Sequence, residues 1–288
     1  MKRTIKYRTI TDKLYAGIVY FFAVVALLPF LWIAFELLRK GLPRISFEFF
    51  TQSWPGALRS ILLSSSGDPV VGGIANALIG SFQIIILGVL MAFPIGLVVG
   101  VYMFENEGRK FFKAVKLSAE LLHGTPSIII GVVAYFWITM NLHSFSALAG
   151  AVALAIIMFP TIARYSYTAL KQDASAIKEA GIALGGSNFQ VLIRVLLATS
   201  LRGILSGAFR AIANSFGKIS PLLFTVLGAS MVNWSIKDAS SSLPWILWNN
   251  YELTHLSELL WPAMLTLCVP VFLFNFLAGI IQKPKTNK

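Results

Sequence analysis

The sequence predicts an all-α integral membrane protein with about six transmembrane helices, and three observations carry this prediction. The 288-residue chain is 57% hydrophobic and only 12% charged, whereas a soluble domain carries roughly 25% charged residues. Its apolar residues form uncharged runs as long as the roughly 20 residues that cross a bilayer. Its net charge is +12, and membrane proteins collect Lys and Arg in their cytoplasmic loops. Together these observations exclude a disordered chain, a disulfide scaffold and an ordinary soluble enzyme.

The first two predicted spans are the longest uncharged runs of the N-terminal half. Residues 14–35 follow five basic residues, and this apolar stretch is too long for a cleavable signal peptide. Residues 74–104 are uncharged and exceed the length that a bilayer requires, so this helix is tilted or extends into the interface. They include Gly96 and Gly100, whose four-residue spacing favours the close approach of another helix.

Four further spans are predicted in the C-terminal half. Their approximate ranges are 122–141, 145–163, 195–217 and 259–281. The third and fourth spans are separated by a predicted turn at 141–144. The apolar residues 219–234 are interrupted by Pro221 and Gly228, and we interpret them as a continuation of the fifth span or a re-entrant piece.

The charge distribution predicts the domain organisation and the orientation. Sixteen Lys and Arg residues flank the spans on the side of the N-terminus, and five lie on the opposite side. The positive-inside rule therefore places both termini in the cytoplasm. The predicted divisions are a basic cytoplasmic N-terminus at 1–13, a first transmembrane helix with an extracytoplasmic segment at 14–71, a main transmembrane domain at 72–282 and a cytoplasmic tail at 283–288.

The sequence lacks the motifs of several enzyme classes. It has neither H-E-x-x-H nor G-x-S-x-G, and Ile219 follows Gly217-Lys218, so a phosphate-cradling G-x-x-x-x-G-K-[ST] loop is absent. His123, His143 and His255 are far apart in the sequence, and Cys268 is the single cysteine. We therefore predict no catalytic residue, no metal site, no cofactor and no nucleic-acid partner. Any ATP that this protein uses must be bound by another chain.

One cytoplasmic segment is predicted to form a short helix outside the membrane. Asp173 and Ser175 are helix N-cap types, and Gly185-Gly186 supplies a C-terminal stop. The predicted helix covers 174–184. Such a helix either lies amphipathically at the membrane interface or docks on another protein, and the spacing alone leaves both interpretations open.

Basic residues inside the predicted spans suggest a path for an anion. An intramembrane Arg or Lys is costly, so it faces the interior of the bundle or extends to the interface. Arg202 and Arg210 are eight residues apart and share one face of the fifth span. Together with Arg164 at the end of the fourth span and with Lys218, they could line a basic path. The alternative is that Arg164 and Arg202 only anchor their helices at the membrane boundary.

Several motifs resemble those of bacterial ABC importer permeases. Glu179-Ala180-Gly181 followed by Gly185 resembles the EAA loop, although Gly181 stands where a second Ala is usual and Ala198 where Pro is usual. In the family this short helix docks on the ATPase subunit, which implies coupling roles for Glu179, Ala180, Gly181 and Gly185.

Further motifs narrow the resemblance to phosphate-transporter permeases of the PstA type. In chain order they are Gly72-Gly73-Ile74-x-Asn76-Ala77, Gly124-x-Pro126-Ser127-Ile128-x-x-Gly131, Phe145-Ser146-Ala147-Leu148-Ala149-Gly150, Pro160 through Arg164, and Gly217-x-x-x-Pro221-Leu222-Leu223. They cover roughly residues 72–281. In the last element the family has Arg and Glu at the positions of Asn214 and Lys218.

The resemblance implies a type I ABC importer permease fold, MetI-like, with a cytoplasmic coupling helix. It implies a multi-pass subunit of the bacterial inner membrane that moves inorganic phosphate into the cell by alternating access. The implied partners are an ATP-binding subunit dimer, a second homologous permease subunit, an extracytoplasmic phosphate-binding protein and membrane lipid. The implied substrate path contains Arg164, Arg210, Asn214 and Lys218.

Two other functions compete with phosphate import. The first is a permease for another oxyanion or a divergent paralogue, which Asn214 and Lys218 suggest. The second is an intramembrane enzyme that acts on lipid phosphates, although the sequence shows neither a paired His nor a carboxylate base near its Arg residues.

The predicted orientation can be tested with reporter fusions. We expect reporters fused after Lys40 and near Asp238 to be outside the cytoplasm, and reporters fused near Asp173 and at Lys288 to be inside, because the basic loops stay in the cytoplasm. Alkaline phosphatase and green fluorescent protein fusions at the same four positions measure the two outcomes. A cytoplasmic signal at Asp238 would contradict the six-span topology.

Overall fold

The computed structural model describes residues 2–56, 62, 72–253 and 256–282, and its regular elements there are helices. The main helices are α1 Lys2–Gly41, α2 Phe47–Thr51, α3 Ala75–Glu105, α4 Lys110–Gly124, α5 Ser127–Leu142, α6 Ala147–Ala183, α7 Asn188–Phe216, α8 Leu243–Asn250 and α9 Ser257–Gln282. Helices α5 and α7 each contain a π-helical turn, at Tyr135–Thr139 and Leu192–Leu196.

Five of these helices are long and apolar enough to cross a membrane. In the described part of the chain the five segments are Asp12–Arg44, Ala75–Glu105, Ala147–Gln172, Asn188–Phe216 and Ser257–Gln282. The bent pair α4 and α5 supplies a sixth span when it is counted as one. The predicted all-α membrane fold with about six spans is therefore confirmed.

The third predicted span begins later than the sequence suggested. Its predicted range of 122–141 crosses the break between α4, which ends at Gly124, and α5, which begins at Ser127. Proline restricts the residue before it to extended conformations, and Thr125, which precedes Pro126, has φ −67° and ψ 132°. The two helices consequently meet at 97°.

The short helix predicted at 174–184 is the C-terminal end of the much longer helix α6. The prediction of a separate helix with its own N-cap was wrong, because α6 runs without interruption from Ala147 to Ala183. Between Pro160 and Gly181 the sequence has no proline or glycine that would end a helix, and Asp and Ser are tolerated inside helices.

The predicted end of that helix is confirmed, whereas the next helix begins earlier than predicted. Gly185 has φ +86°, a left-handed conformation that glycine adopts without the steric cost of a Cβ. Helix α7 begins at Asn188 rather than near Val195. Ser187 and Gln190 form a capping box at its start, which satisfies two backbone donors reciprocally.

Helices α3 and α6 pack closely through the small residues of α3. A Cβ built on Gly96 would lie 2.8 Å from the Cβ of Ile162, and one built on Gly100 would lie 2.5 Å from the Cβ of Ser166. Ile162 and Ser166 are fully buried. The predicted close approach at Gly96 and Gly100 is thus present, and α6 is the helix that uses it.

Residues 217–242 form an irregular segment between α7 and α8. Within this part of the described chain there is no helix, so 219–234 do not provide a seventh span. Backbone groups of the segment pair with the start of α6: Ser146 N donates to Thr225 O at 3.1 Å, and Leu148 N donates to Ile236 O at 2.9 Å. Leu222 and Val226 are buried in the main core, so the segment folds back into the bundle.

Asn76 joins three segments at the end of the bundle where α3 begins. Its side chain is 3% exposed. Its Oδ1 accepts a hydrogen bond from Trp54 N at 2.9 Å, and its Nδ2 donates to Ala229 O. The asparagine therefore satisfies backbone groups of two loops that would otherwise lie buried without partners, which would cost about 1–3 kcal/mol for each group.

The glycine contact between α3 and α6 can be tested by adding one methyl group. Gly100→Ala should lower the free energy of unfolding by roughly 1–3 kcal/mol, because the new Cβ meets well-packed atoms of α6. Gly279→Ala is the matched control, since a Cβ there would meet nothing within 4 Å. Thermal midpoints of the two detergent-purified variants provide the comparison. Equal midpoints would show that the helices can separate without cost.

Candidate functional site

A cleft of about 1080 Å³ lies between the C-terminal half of α6, helix α7 and the C-terminal half of α9. At one end it reaches Gln172 of α6, Thr199 in the first half of α7 and Gln282 at the end of α9. At the other end it reaches Gly217 and Lys218, just beyond α7. The cleft therefore extends along much of the length of the bundle.

The cleft is strongly basic. Its cationic side chains are Arg164, Arg202, Arg210 and Lys218, and none of the described residues that line it is Asp or Glu. All four residues predicted for the substrate path, namely Arg164, Arg210, Asn214 and Lys218, line this one cavity. The structure thus brings the predicted set together, and their role in binding remains a prediction.

The basic residues of α7 form one stripe along the cleft. Arg202, Arg210 and Asn214 follow one another at intervals of eight and four residues, so the stripe winds by about 120° around the helix, and all three line the cleft. At a rise of 1.5 Å per residue, Arg202 and Asn214 are about 18 Å apart along the axis. Lys218 continues the spacing beyond the end of the helix. Arg202 lines the cleft, and whether it also anchors α7 at the membrane boundary stays a prediction.

Arg210 is held by neutral partners. Its Nη2 donates to Gln282 Oε1 at 2.9 Å, and its guanidinium lies 5.7 Å from the centre of the Tyr165 ring. Its Nε is buried and has no hydrogen-bond partner among the described residues. Because neither partner carries a negative charge, these contacts orient the guanidinium and leave its charge unneutralised.

Neutral polar side chains, which the sequence analysis did not single out, complete the lining. They are Thr161, Thr168, Gln172, Thr199, Asn275 and Gln282, and α4 contributes His123. Thr161 and Thr168 lie three and four residues from Arg164, so helical spacing could have identified them. The residues of α9 and α4 carried no such signal, because only the packing of distant helices brings them to the cleft.

The residues predicted to couple with an ATPase lie beyond the cleft, at the C-terminal tip of α6 and in the turn that follows it. Glu179 and Ala180 are exposed there. Leu184 is 90% exposed, and Ile182 and Phe189 are exposed as well. Exposed apolar side chains beside a polar residue are typical of a protein docking surface. Leu184 and Phe189 belong to this tip, and the sequence motif did not indicate them.

Gly181 has a packing role at the tip. A Cβ built on it would lie 2.9 Å from both γ-carbons of Val191, which is buried at the start of α7. Gly186 N donates to Gly181 O at 3.1 Å. Since Val191 occupies the space of an alanine methyl group, the contact explains why glycine replaces the second alanine of the motif here.

Two ion pairs connect the projecting part of α6 to the end of α3. Lys178 Nζ donates to both carboxylate oxygens of Glu105, at 2.8 and 2.9 Å. Lys171 Nζ donates to Glu107, and this hydrogen bond holds the pKa of the Glu107 carboxyl below its usual value. The two pairs fix the tip of α6 relative to the membrane-spanning bundle.

The described residues contain no group of three or more His, Cys, Asp or Glu that could hold a metal ion. His143 lies in the turn between α5 and α6, where it has φ +54°, and His123 lines the cleft. His255 lies outside the described residues.

Several helices of membrane-spanning length surround a polar cleft, and one of them, α6, projects beyond its apolar segment. This arrangement is that of a multi-pass membrane permease. The chain belongs to the family of binding-protein-dependent transport system inner membrane components, whose sequence model matches residues 92–284. This family forms the transport subunit of ABC importers and is not an enzyme, since separate subunits hydrolyse the ATP.

Curated relatives confirm the resemblance to PstA-type permeases. The chain is 33% identical over 275 residues to the phosphate transport system permease protein PstA of Haemophilus influenzae, covering 92% of this chain and 93% of the relative. It is 31% identical over 221 residues to a probable PstA of Methanocaldococcus jannaschii, covering 77% of this chain and 74% of the relative.

Solved structures confirm the fold. A chain of the methionine ABC transporter MetNI in an inward-facing conformation matches with a TM-score of 0.57 at 20% identity, covering 70% of this chain and 92% of that chain. A chain of an amino acid ABC transporter matches with a TM-score of 0.54 at 15% identity, covering 83% and 99%. The fold is therefore that of MetI-type importer permeases.

Proposed function

We propose that this chain is the permease subunit that carries inorganic phosphate through an ABC importer of the bacterial inner membrane. The observation that carries the proposal is the cleft with four cations and no carboxylate among its described lining residues. Such a surface attracts anions at long range and offers charge-assisted hydrogen bonds at contact. The names of the curated relatives supply the particular anion.

The cleft favours transport over chemistry on a lipid phosphate. An enzyme needs an acid or base that can reach the reacting group, and among the described lining residues His123 is the one imidazole, with no carboxylate beside it. With no carboxylate to orient it, His123 lacks the partner that a hydrolytic site requires. The relatives also do not favour a permease for another oxyanion.

The proposed assembly contains two permease subunits, this chain and a homologous one. Two ATP-binding subunits dock at the cytoplasmic tips, and a phosphate-binding protein docks on the extracytoplasmic side. Both termini are cytoplasmic, with 1–13 and 283–288 as basic tails, 14–71 as the first helix and its extracytoplasmic segment, and 72–282 as the permease domain. The general part of this arrangement, an ATPase and a substrate-binding protein, belongs to the family.

The continuity of α6 supports a direct mechanism of coupling. Arg164 lies in the cleft and Glu179 at the tip, on the same helix. At 1.5 Å per residue the two are about 22 Å apart. When the ATPase dimer closes and moves the tip, α6 transmits that movement to the cleft as one rigid element. The cleft then alternates between access from outside and access from the cytoplasm, with the population set by ATP.

The role of Arg164 is tested by two substitutions. Arg164→Ala should slow phosphate uptake by roughly ten- to a hundredfold, because a charge-assisted hydrogen bond contributes about 1.5–3 kcal/mol and each 1.4 kcal/mol is a factor of about ten in rate. Arg164→Lys should recover only part of the rate, since lysine lacks the planar two-pronged donor. Uptake of labelled phosphate into proteoliposomes that contain the whole transporter measures both variants.

Arg39→Ala is the matched control for this experiment, because Arg39 is an exposed arginine on α1 and does not line the cleft. Full recovery of uptake by Arg164→Lys would contradict a binding role and would indicate that residue 164 anchors the helix, since lysine reaches the interface as well as arginine does.

The coupling role of Glu179 is tested by charge reversal. Glu179→Lys should weaken association with the ATPase subunits and lower the transport-coupled ATP hydrolysis, because docking surfaces depend on a few contacts at their centre. Asp238→Lys makes the same change at an exposed position far from the tip and should leave the ATPase bound. Co-purification and phosphate-stimulated hydrolysis are the two measurements. A Glu179→Lys transporter that hydrolyses ATP and transports at the original rates would exclude the role.

A further inference from the structure

Helix α4, Lys110–Gly124, lies across the direction of the membrane-spanning helices. It meets α5 at 97°, and α5 leads into the turn that begins α6. If α5 follows the membrane normal, then α4 lies nearly parallel to the membrane surface. Helix α4 begins a few residues after Glu105 and Glu107, which lie at the end of α3. Both carboxylates form ion pairs with α6, so α4 begins on the side of the bundle where the tip of α6 projects. With α5 as the part of the bent pair that crosses the membrane, we place α4 at the level of the lipid headgroups on the side of the projecting tip.

The side chains of α4 divide into a packed face and an exposed apolar face. Phe112 is 9% exposed and packs towards the bundle. Phe111, Leu117 and Leu121 are 66%, 56% and 63% exposed. At 100° per residue these three positions fall on one side of the helix. The bundle leaves this apolar face uncovered at the place where a bilayer meets water.

The start of α4 also carries cations that lack a protein counter-ion. Arg109, Lys110 and Lys113 are exposed and form no ion pair with any described residue. The nearest carboxylates in sequence, Glu105 and Glu107, are already paired with Lys178 and Lys171 of α6. Farther along the helix, Lys116 and Glu120 approach to 3.9 Å. These three cations are therefore available to a negatively charged partner, because no described carboxylate pairs with them.

We propose that Arg109, Lys110 and Lys113 form a binding surface for anionic phospholipid headgroups, with the acyl chains covering Phe111, Leu117 and Leu121. A headgroup phosphate supplies the missing negative charge, and its attached chains supply the missing apolar cover. A free phosphate ion would supply only the first. Basic amphipathic helices that lie in the plane of the interface bind anionic lipid by this combination. The site is separate from the cleft, because none of the three cations lines it.

The test titrates the purified transporter complex with dioleoyl-phosphatidylglycerol or dioleoyl-phosphatidylcholine and measures bound lipid by native mass spectrometry. The variant Arg109→Gln/Lys110→Gln/Lys113→Gln removes three charges. Each cation at a membrane surface changes the affinity roughly fivefold, so phosphatidylglycerol affinity should fall about a hundredfold while phosphatidylcholine affinity stays within about twofold. The matched control is Arg39→Gln/Arg194→Gln/Lys237→Gln, which removes three exposed charges elsewhere and should leave the preference for phosphatidylglycerol intact.

Two further arms identify the ligand. Phe111→Ser/Leu117→Ser should weaken the binding of both lipids, because the apolar cover serves either acyl chain. Inorganic phosphate added at millimolar concentration should not displace phosphatidylglycerol. Unchanged phosphatidylglycerol affinity in the triple variant, with an unchanged thermal midpoint, would overturn the proposal. Displacement of the lipid by inorganic phosphate would overturn the proposal and would show a general anion site. Lipid binding that appears only after the ATPase is removed would also overturn it, because it would show that this surface of α4 binds the ATPase subunit in the complex.

Discussion

The close contact between α3 and α6 determines the arrangement of the other helices. Gly96 and Gly100 allow α3 to approach the buried side chains of Ile162 and Ser166, and α4, α5 and α7 also contact α6. Helix α9 then packs against α7, where Ser206 Oγ donates to Ala278 O at 3.0 Å. In a membrane, lipid is as apolar as the helix surfaces, so small residues and close van der Waals contact hold such a bundle together. The position of the cleft between α6, α7 and α9 follows from these contacts.

Four cations can lie together in this cleft because it is open and contains water-accessible polar groups. A charge in the apolar interior would cost several kcal/mol unless it were paired. Arg210 is oriented by Gln282 and by the ring of Tyr165, and neither partner cancels its charge. The chain thus positions cations without neutralising them. Keeping unpaired cations together costs free energy, which a purely structural site would have no reason to spend. The same arrangement suits a surface to which an anion binds transiently.

Sequence patterns predicted the parts of the molecule that depend on local spacing. Hydrophobic runs predicted the spans, the spacing of Gly96 and Gly100 predicted a close helix contact, and the spacing of Arg202 and Arg210 predicted a shared face. The continuity of α6 through Asp173 was missed, because a capping residue is also tolerated inside a helix that tertiary contacts support. The contribution of Asn275 and Gln282 to the cleft could not be predicted, since it depends on where a distant helix packs.

The distribution of carboxylates explains what Asn214 and Lys218 change. The carboxylates of the described ion pairs, among them Glu105–Lys178, Glu107–Lys171 and Arg44–Glu258, lie outside the cleft, which has no acidic lining residue in the described chain. An Arg at 214 with a Glu at 218, the pattern of the PstA-type resemblance, would place a carboxylate in this cavity and contribute no net charge. Asn214 with Lys218 contributes one positive charge instead. Compared with the pattern of the resemblance, the cleft therefore carries one more positive charge. The neutral amide of Asn214 lies between Arg210 and Lys218 in the sequence, which limits the repulsion between neighbouring cations.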